Sequence, residues 1–355
     1  MYPEYIEDVI VSSLDELAKA KKPVEFLIEI RKITFRIIMF IFLSCEVGTL
    51  LETMEKDYTL MNHGLRAMAI NLPGFAFHKA LKAGKKRSSD IKGKNRLTDM
   101  LIETEDENGN KLDDEEIIDI ILMYLNAGHE STAHATLWAT LFLHEHSEYY
   151  QKAKAEQLEI LKTASPEEGF NFRGTKQMEY LSKVIDETLR IVNVSLYSYR
   201  EAATEVKIFG YTIPRGWKVM MWYRGVHLNP EYYPDPKEFN PSRWNESNAK
   251  AGSFIPFGMG SRLCPGIDLT KLEITIFLHY FLLNYEFLGS GLGMGMWVAC
   301  GGLQIIDGLH LTFNLFNLEC RLERLNPAIG VSYLPHPRPK DNCLAKIKKL
   351  TSPSI

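Results

Sequence analysis

The sequence predicts a mainly α fold with a small β portion. Two long apolar runs indicate helices: one begins near Asp113, and the other covers residues 267–283. The first run continues through Ile, Leu and Met residues, which indicates a helix buried nearly all round. Residues 206–219, in contrast, have the pattern of two short strands around turns. Helices are therefore expected to form most of the fold.

Composition agrees with a globular protein that has a large core, such as an enzyme. The chain has 355 residues, of which 45% are hydrophobic and 24% are charged, and its formal net charge is −4. The length and the hydrophobic content are ample for a large core, and the net charge is too close to neutral for a nucleic-acid binder. The five cysteines have neither metal-ligand spacing nor an evident disulfide framework, which favours a reducing cytosolic environment.

The first part of the chain predicts a helix over about residues 4–20, followed by an apolar stretch over residues 33–51. Lys32, Arg36 and Glu46 flank or interrupt this stretch, so a core helix is favoured over a membrane span. Residues 79–96 are strongly basic and are broken by glycine and serine. They predict a solvated loop, with a contact to a membrane surface as the alternative.

The predicted buried helix that follows begins with a capping motif and contains a short polar segment in its apolar run. Asp113 is a candidate N-cap, and Glu116 is its capping-box partner. The segment A-G-H-E-S-T at residues 127–132 then places an acid and two hydroxyls among apolar residues: Glu130, Ser131 and Thr132. Taken alone, such hydroxyls commonly bond back to their own helix.

Two weaker motifs lie in the second half of the chain. Glu187 and Arg190 form an E-x-x-R pair, which alone is typical of a solvated helix surface. A helical stretch at residues 180–186 precedes the pair, and F-N-P-S-R-W at residues 239–244, which contains Arg243, follows it. A carboxylate between two guanidinium groups makes sense as a buried structural lock.

The most informative motif is F-G-M-G-S-R-L-C-P-G at residues 257–266. A lone cysteine is usually a small core residue, but Cys264 lies in a glycine-rich loop ahead of an apolar helix. The glycines at 258, 260 and 266 permit positive φ angles and let the backbone come close to a flat ligand. Backbone N–H groups can then hydrogen-bond the sulfur, and Arg262 can neutralise a carboxylate on the ligand.

These four motifs, in this order, resemble those of the cytochrome P450 family. The resemblance implies a cytochrome P450 fold with small β-sheets around heme b, with the Cys264 thiolate as the iron ligand. It implies that Arg200 binds a haem propionate and that residues 194–199 line the substrate cavity. The cysteine loop is expected to frame the haem through Phe257, Gly258, Arg262 and Gly266.

The same resemblance assigns roles to the other motifs. Glu130 and Ser131 match positions that support oxygen activation, although most of the family carry threonine where Ser131 stands. Either Ser131 or Thr132 can therefore supply the hydroxyl that organises proton delivery. The resemblance also implies one buried ion cluster, serving folding and haem retention, formed by Glu187, Arg190 and Arg243.

A closer resemblance is to the plant ent-kaurenoic acid oxidases of gibberellin biosynthesis, at residues 126–131, 184–190, 239–244, 333–339 and 341–345. It implies monooxygenation of a small hydrophobic terpenoid, with electrons from NADPH through NADPH-cytochrome P450 reductase. The implied location is the endoplasmic reticulum membrane, on its cytosolic face. The alternative substrate within this clan is a β-amyrin-type triterpene, and no nucleic acid is expected as a partner.

The chain also departs from the family pattern. We expect a single domain over residues 1–355 that is incomplete at its N-terminus, without the family's membrane anchor and first helices. Residues 286–320 are expected to be an atypical insert, whose glycine run lacks the Lys-Ser/Thr of a phosphate loop. These departures predict weak haem retention and little turnover. They leave two alternatives: an inactive haem-binding pseudo-enzyme and a haem-free interaction protein.

Overall fold

The structure is a computed structural model in which helices occupy many more residues than strands, so the mainly α prediction is confirmed. It describes residues 2–43, 60, 73, 79, 96–163, 175, 177–245, 250–287, 298–299, 317–318, 331–332, 338–339 and 342–350. The helices are α1 Tyr2–Lys19, α2 Phe26–Leu43, α3 Arg96–Glu103, α4 Asp114–Glu145, α5 Ser147–Thr163, α6 Glu179–Val192, α7 Tyr223–His227 and α8 Ile267–Asn284.

The strands are short and pair as antiparallel ribbons of two. They are β1 Val24–Glu25, β2 Ser198–Glu201, β3 Val206–Ile208, β4 Tyr211–Ile213, β5 Lys218–Met221, β6 Tyr285–Phe287, β7 Val298–Ala299, β8 Asn317–Leu318, β9 Val331–Ser332, β10 Arg338–Pro339, β11 Leu344–Ala345 and β12 Ile347–Lys349. The pairs are β1 with β11, β2 with β5, β3 with β4, β6 with β12, β7 with β8 and β9 with β10.

Helix α4 lies at the centre of the described body. Its N-terminal half packs on α2, where Gly128 permits a close approach: a Cβ atom there would lie 2.9 Å from Ile38 Cδ1. Its C-terminal half is buried in the main hydrophobic cluster together with residues of α1, α6 and α8. Asp113 and Glu116 form the predicted capping box at its start. The polar segment of α4 is therefore held between two packed regions.

In the described part of the N-terminal region, the structure has helices where the sequence predicts them. The first predicted helix is α1, and the apolar stretch that begins at residue 33 forms the second half of α2, where Ile33 and Ile37 are buried. None of the described helices combines the length and the apolar character that crossing a membrane requires. Residues 44–51, most of 79–96 and most of 286–320 lie outside the described residues, so the predictions for them stay predictions.

Candidate active site

One cavity brings the cysteine motif and the polar segment of α4 together. Its volume is about 640 Å³. Of residues 194–199, Val194, Ser195, Ser198 and Tyr199 contribute to its wall. The predicted site residues that line it are Ser131, Arg200, Phe257, Gly258, Arg262 and Cys264. Glu130, Thr132 and Gly266 are not among its lining residues.

The loop that carries Cys264 is folded by its own backbone. The Cys264 N–H donates to the Phe257 carbonyl at 3.0 Å, which closes the loop. Gly258 and Gly260 have φ angles of 75° and 73°, a conformation that side chains disfavour. Gly266 does not use the positive φ that a glycine permits, because its φ is −91°, an angle that any residue can adopt. A Cβ atom at Gly266 would instead lie 3.8 Å from Cys264 Sγ, so this glycine leaves space beside the sulfur.

Two guanidinium groups and several apolar side chains complete the cavity. Arg200 is on β2, where its Nη1 atom donates to the Tyr199 carbonyl at 2.9 Å, and Arg262 follows the second loop glycine. The apolar wall includes Leu189 of α6 and Phe257. A thiol, two cations able to neutralise carboxylates and a glycine-lined approach are the donor set that a haem with two propionates needs, so these residues fit that group.

The two candidate hydroxyls of α4 have different surroundings. Ser131 lines the cavity, and its Oγ atom donates to the Ala127 carbonyl at 2.8 Å. Thr132 is 1% exposed, and its Oγ1 atom donates to the Gly128 carbonyl at 2.9 Å. The same Oγ1 atom lies 3.4 Å from Thr270 Oγ1 at the start of α8. The structure therefore brings Ser131, rather than Thr132, to the wall that Cys264 also lines.

Glu130 is turned away from the cavity into a buried charged cluster. Its Oε1 atom pairs with Arg31 Nη2 of α2, and both side chains are buried. The imidazoles of His129 and His134 each lie 3.9 Å from its carboxylate oxygens. Burial lowers the pKa of His129, so this ring is held neutral. The sequence argument missed Arg31, because nothing in the sequence of α2 indicates that this arginine pairs with a carboxylate 99 residues later in the chain.

Glu187, Arg190 and Arg243 lie together, as expected for one ion cluster. Arg190 donates to both oxygens of Glu187, from Nη2 at 2.7 Å and from Nε at 2.8 Å. Arg243 Nε donates to Oε1 at 3.2 Å. Trp244 Nε1 donates to Oε2 at 3.0 Å, and the Asn240 N–H donates to Oε1 at 3.1 Å. The carboxylate thus fastens residues 240–244 to α6.

A buried imidazole, which the sequence argument also missed, supports the cysteine loop from α7. The Ile255 N–H donates to His227 Nε2 at 2.8 Å. The neutral ring therefore carries its proton on Nδ1, which donates to Asn193 Oδ1 at 2.5 Å. Burial, together with the charges of Arg190 and Arg224, lowers the pKa of His227 to about 3. His227 thus links the end of α6 to the segment that leads to Cys264.

Comparison with known proteins identifies the family that has this arrangement. The sequence model of the Cytochrome P450 family matches residues 74–292 of this chain. The chain belongs to the cytochrome P450 family. Like its relatives, this P450 is a monooxygenase that uses haem iron, electrons from a reductase and small hydrophobic substrates. Cyanobacterial CYP120A1 with bound retinoic acid shares the fold: the TM-score is 0.77 at 23% identity, covering 98% of this chain and 74% of the other.

Plant members of the family are similar over nearly the whole chain. Ent-kaurenoic acid oxidase 2 of Arabidopsis thaliana is 47% identical, over 98% of this chain and 67% of its own length. Ent-kaurenoic acid oxidase of Oryza sativa is 45% identical, over 99% of this chain and 66% of its own length. A 7,8-epoxymelianol synthase of Citrus sinensis is 48% identical, over 98% of this chain and 67% of its own length. The chain spans about two thirds of the length of these relatives.

Proposed function

We propose that this P450 oxidises ent-kaurenoic acid at the cavity lined by Cys264 and Ser131. The observation that supports the chemistry is this cavity, in which a thiol, two guanidinium groups and a helix hydroxyl face one space. The support for the substrate is the similarity to ent-kaurenoic acid oxidases from Arabidopsis thaliana and Oryza sativa. Ala135, Leu189 and Val194 provide the apolar wall that a diterpenoid skeleton requires.

Each cavity residue then has a defined task in holding the cofactor. Haem iron supplies the activation of dioxygen and the insertion of one oxygen atom into a C–H bond. Cys264 would provide the thiolate ligand of the iron, and the bare backbone of Gly258 and Gly266 would leave room for the ring system. Arg200 and Arg262 would neutralise the two propionates, and Phe257 would offer the ring an apolar contact.

In this proposal the Ser131 hydroxyl carries the proton path, and Glu130, which faces Arg31 rather than the cavity, supports it from within α4. The Ser131 hydroxyl donates its hydrogen bond to the Ala127 carbonyl. The lone pairs of Ser131 Oγ therefore remain able to accept a hydrogen bond from a water in the cavity. Rotation of the hydroxyl lets Oγ donate its proton into the cavity while it takes a replacement proton from that water, so the serine stays neutral. Glu130 stands behind it, held by Arg31, and Thr132 is a structural hydroxyl between α4 and α8.

We also propose a wider setting for the reaction. The described body and the remaining residues form a single domain, with residues 286–320 as an insert. Electrons come from NADPH through NADPH-cytochrome P450 reductase, and the protein works at the cytosolic face of the endoplasmic reticulum membrane. The similarity to plant oxidases supports this setting.

A second candidate function is oxidation of a triterpenoid. Two 7,8-epoxymelianol synthases, from Ailanthus altissima and Citrus sinensis, are each 48% identical to this chain. This identity is close to the 47% shared with the Arabidopsis thaliana oxidase. Overall identity does not separate the two substrate classes, so the substrate assay must include both.

The test is turnover by the haem-loaded chain with NADPH and the reductase. We expect an oxidised product from ent-kaurenoic acid, detected by mass spectrometry, in the small amount that the predicted weak haem retention and little turnover allow. We also expect a thiolate-type spectrum of the reduced, CO-bound protein. Cys264→Ala should lose both, because the sulfur ligand is removed. Product from melianol or β-amyrin alone would favour the second candidate. A chain that shows the thiolate spectrum but oxidises none of these compounds contradicts the proposal.

A further inference from the structure

Two hydroxyl groups outside the four sequence motifs form a pair in the wall of the active-site cavity. Tyr223 begins α7 and Ser198 begins β2, and both residues line the cavity that Cys264 also lines. Tyr223 Oη lies 2.6 Å from Ser198 Oγ, a hydrogen bond between residues 25 positions apart in the chain. Tyr223 is 7% exposed, so its ring is held by the surrounding protein. The pair is therefore a fixed part of the cavity wall.

The pair lies between the cysteine loop and a guanidinium group. A Cβ atom at Gly258 would be 3.7 Å from Tyr223 Oη, so the phenol oxygen is next to the backbone of the loop. On the other side, Arg200 Nη1 donates to Ser198 Oγ at 3.3 Å. Arg200 has no ion pair with a carboxylate of the described residues, since the neighbouring Glu201 pairs with a lysine instead. The guanidinium is therefore available to an anion in the cavity.

A count of hydroxyl protons shows that the pair has one donor to spare. Two hydroxyl groups carry two protons, and the hydrogen bond between them uses one. The contact from Arg200 uses a guanidinium proton, so it leaves this count unchanged. Within the described part of the chain, neither oxygen has an acceptor for the second proton. One O–H group beside the guanidinium can therefore donate into the cavity.

We propose that Arg200 and the Tyr223–Ser198 pair together form a carboxylate-binding site. The guanidinium supplies the counter-charge, and the neutral O–H next to it adds a second hydrogen bond to the anion. The inference rests on the proposed function, which brings two sources of carboxylate to this cavity: the haem propionates and the terpenoid acid. Because the two hydroxyls share their protons, either residue alone can supply the donor. Both must be lost before the O–H is removed.

The test compares haem with haem dimethyl ester, which has the same ring system but no free carboxylate. Each is loaded into the full chain, and the rate of its transfer to apomyoglobin is measured. We expect Tyr223→Phe with Ser198→Ala to speed the transfer of haem about tenfold, the order of one hydrogen bond to a charged group. Transfer of the ester should keep its wild-type rate. Each single variant should release haem more slowly than the double variant, because one O–H group remains.

Ser198→Ala with Tyr150→Phe is the matched control, because Tyr150 is a half-buried phenol on α5 that is not among the residues lining the cavity. It should release haem at the rate of Ser198→Ala alone. A second arm measures the Kd of ent-kaurenoic acid from the spectral change that it causes in the haem. A weaker Kd in the Tyr223→Phe, Ser198→Ala variant, with haem transfer unchanged, would assign the site to the substrate carboxylate.

Two results would overturn the carboxylate site while leaving the proposed function intact. One is equal acceleration of haem and its ester, because the pair would then support only the fold. The other is a Tyr223→Phe, Ser198→Ala variant that matches the control in both arms. A wild-type chain that lacks the thiolate-type spectrum would instead overturn the proposed function, and the carboxylate site with it.

Discussion

At the scale of single residues, the Glu187 carboxylate shows how a buried charge is satisfied. It accepts five hydrogen bonds, from Arg190, Asn240, Arg243 and Trp244, and it is 0% exposed. Arg190 in turn donates to the carbonyls of His227, Pro236 and Glu238. A buried ion cluster of this kind stabilises the fold only while every partner is present. If one partner is removed, the remaining charged groups are buried without water and without a counter-charge.

Removal of this carboxylate should therefore be costly. We expect Glu187→Ala to lower the free energy of unfolding by roughly 3–5 kcal/mol, since two guanidinium groups lose their counter-charge. Denaturant unfolding and haem content measure the effect. Glu148→Ala, which breaks the exposed pair with Lys152, is the control and should leave stability near that of the wild type. Equal stability of Glu187→Ala and the control would refute the cluster as a structural lock.

The hydroxyls of Ser131 and Thr132 give a second residue-scale prediction. Ser131→Ala should uncouple NADPH consumption from product formation, because the hydroxyl that lines the cavity is removed while the helix is preserved. Thr132→Val should keep coupling and lower stability instead, since its hydroxyl bonds within α4 and faces Thr270. The ratio of product to NADPH consumed measures both variants. The opposite pattern would assign the proton path to Thr132.

At the scale of elements, His227 joins three segments of the site. Its ring is fixed between Asn193 at the end of α6 and Ile255 before the cysteine loop, and its backbone carbonyl accepts from Arg190. A protonated ring would lose the bond from the Ile255 N–H, because Nε2 could no longer accept. The position of the loop therefore depends on a neutral imidazole.

This dependence predicts acid sensitivity. The pKa of His227 falls from 6.5 to about 3 on folding, so the unfolded chain binds the extra proton first as the pH drops. The stabilisation is fully present above the unfolded pKa of 6.5 and is lost as the pH falls toward the folded value of about 3. His227→Gln should be less stable than the wild type at neutral pH, with the difference narrowing on acidification. Curves of unfolding free energy against pH that remain parallel would argue against this role.

The elements also show what a sequence can and cannot reveal. Long apolar runs predicted α4 and α8, and a capping box marked the start of α4, because these signals lie within a few residues of each other. Arg31, Trp244 and His227 carry no such signal: their partners lie 99, 57 and 28 residues away. The start of α6 has no side-chain cap of its own. Instead, Glu156 of α5 accepts from the N–H groups of Tyr180 and Leu181, a contact that only the folded chain creates.

At the scale of the whole molecule, the C-terminal strand is anchored independently of residues 288–320. Strand β12 pairs with β6, and Asp15 of α1 accepts from both Tyr285 at 2.7 Å and Lys349 at 2.6 Å. Within the intervening segment, β7 and β8 pair with each other. The match to the cytochrome P450 family also ends at residue 292. Residues 286 and 287 of the proposed insert therefore belong to the β6–β12 pair, and the part that these contacts do not need begins at residue 288.

A chain without residues 288–320 should therefore keep the fold. The β6–β12 pair and the Asp15 contacts remain in that chain, and the apolar residues of the deleted segment are removed, so soluble yield should rise. Haem content per chain and the midpoint of thermal unfolding should equal or exceed those of the intact protein. Asp15→Ala in the shortened chain is the informative partner variant, because it removes the contact that holds β6 and β12 to α1. Loss of cooperative unfolding on deletion alone would show that residues 288–320 belong to the core, and the assignment of an insert would be wrong.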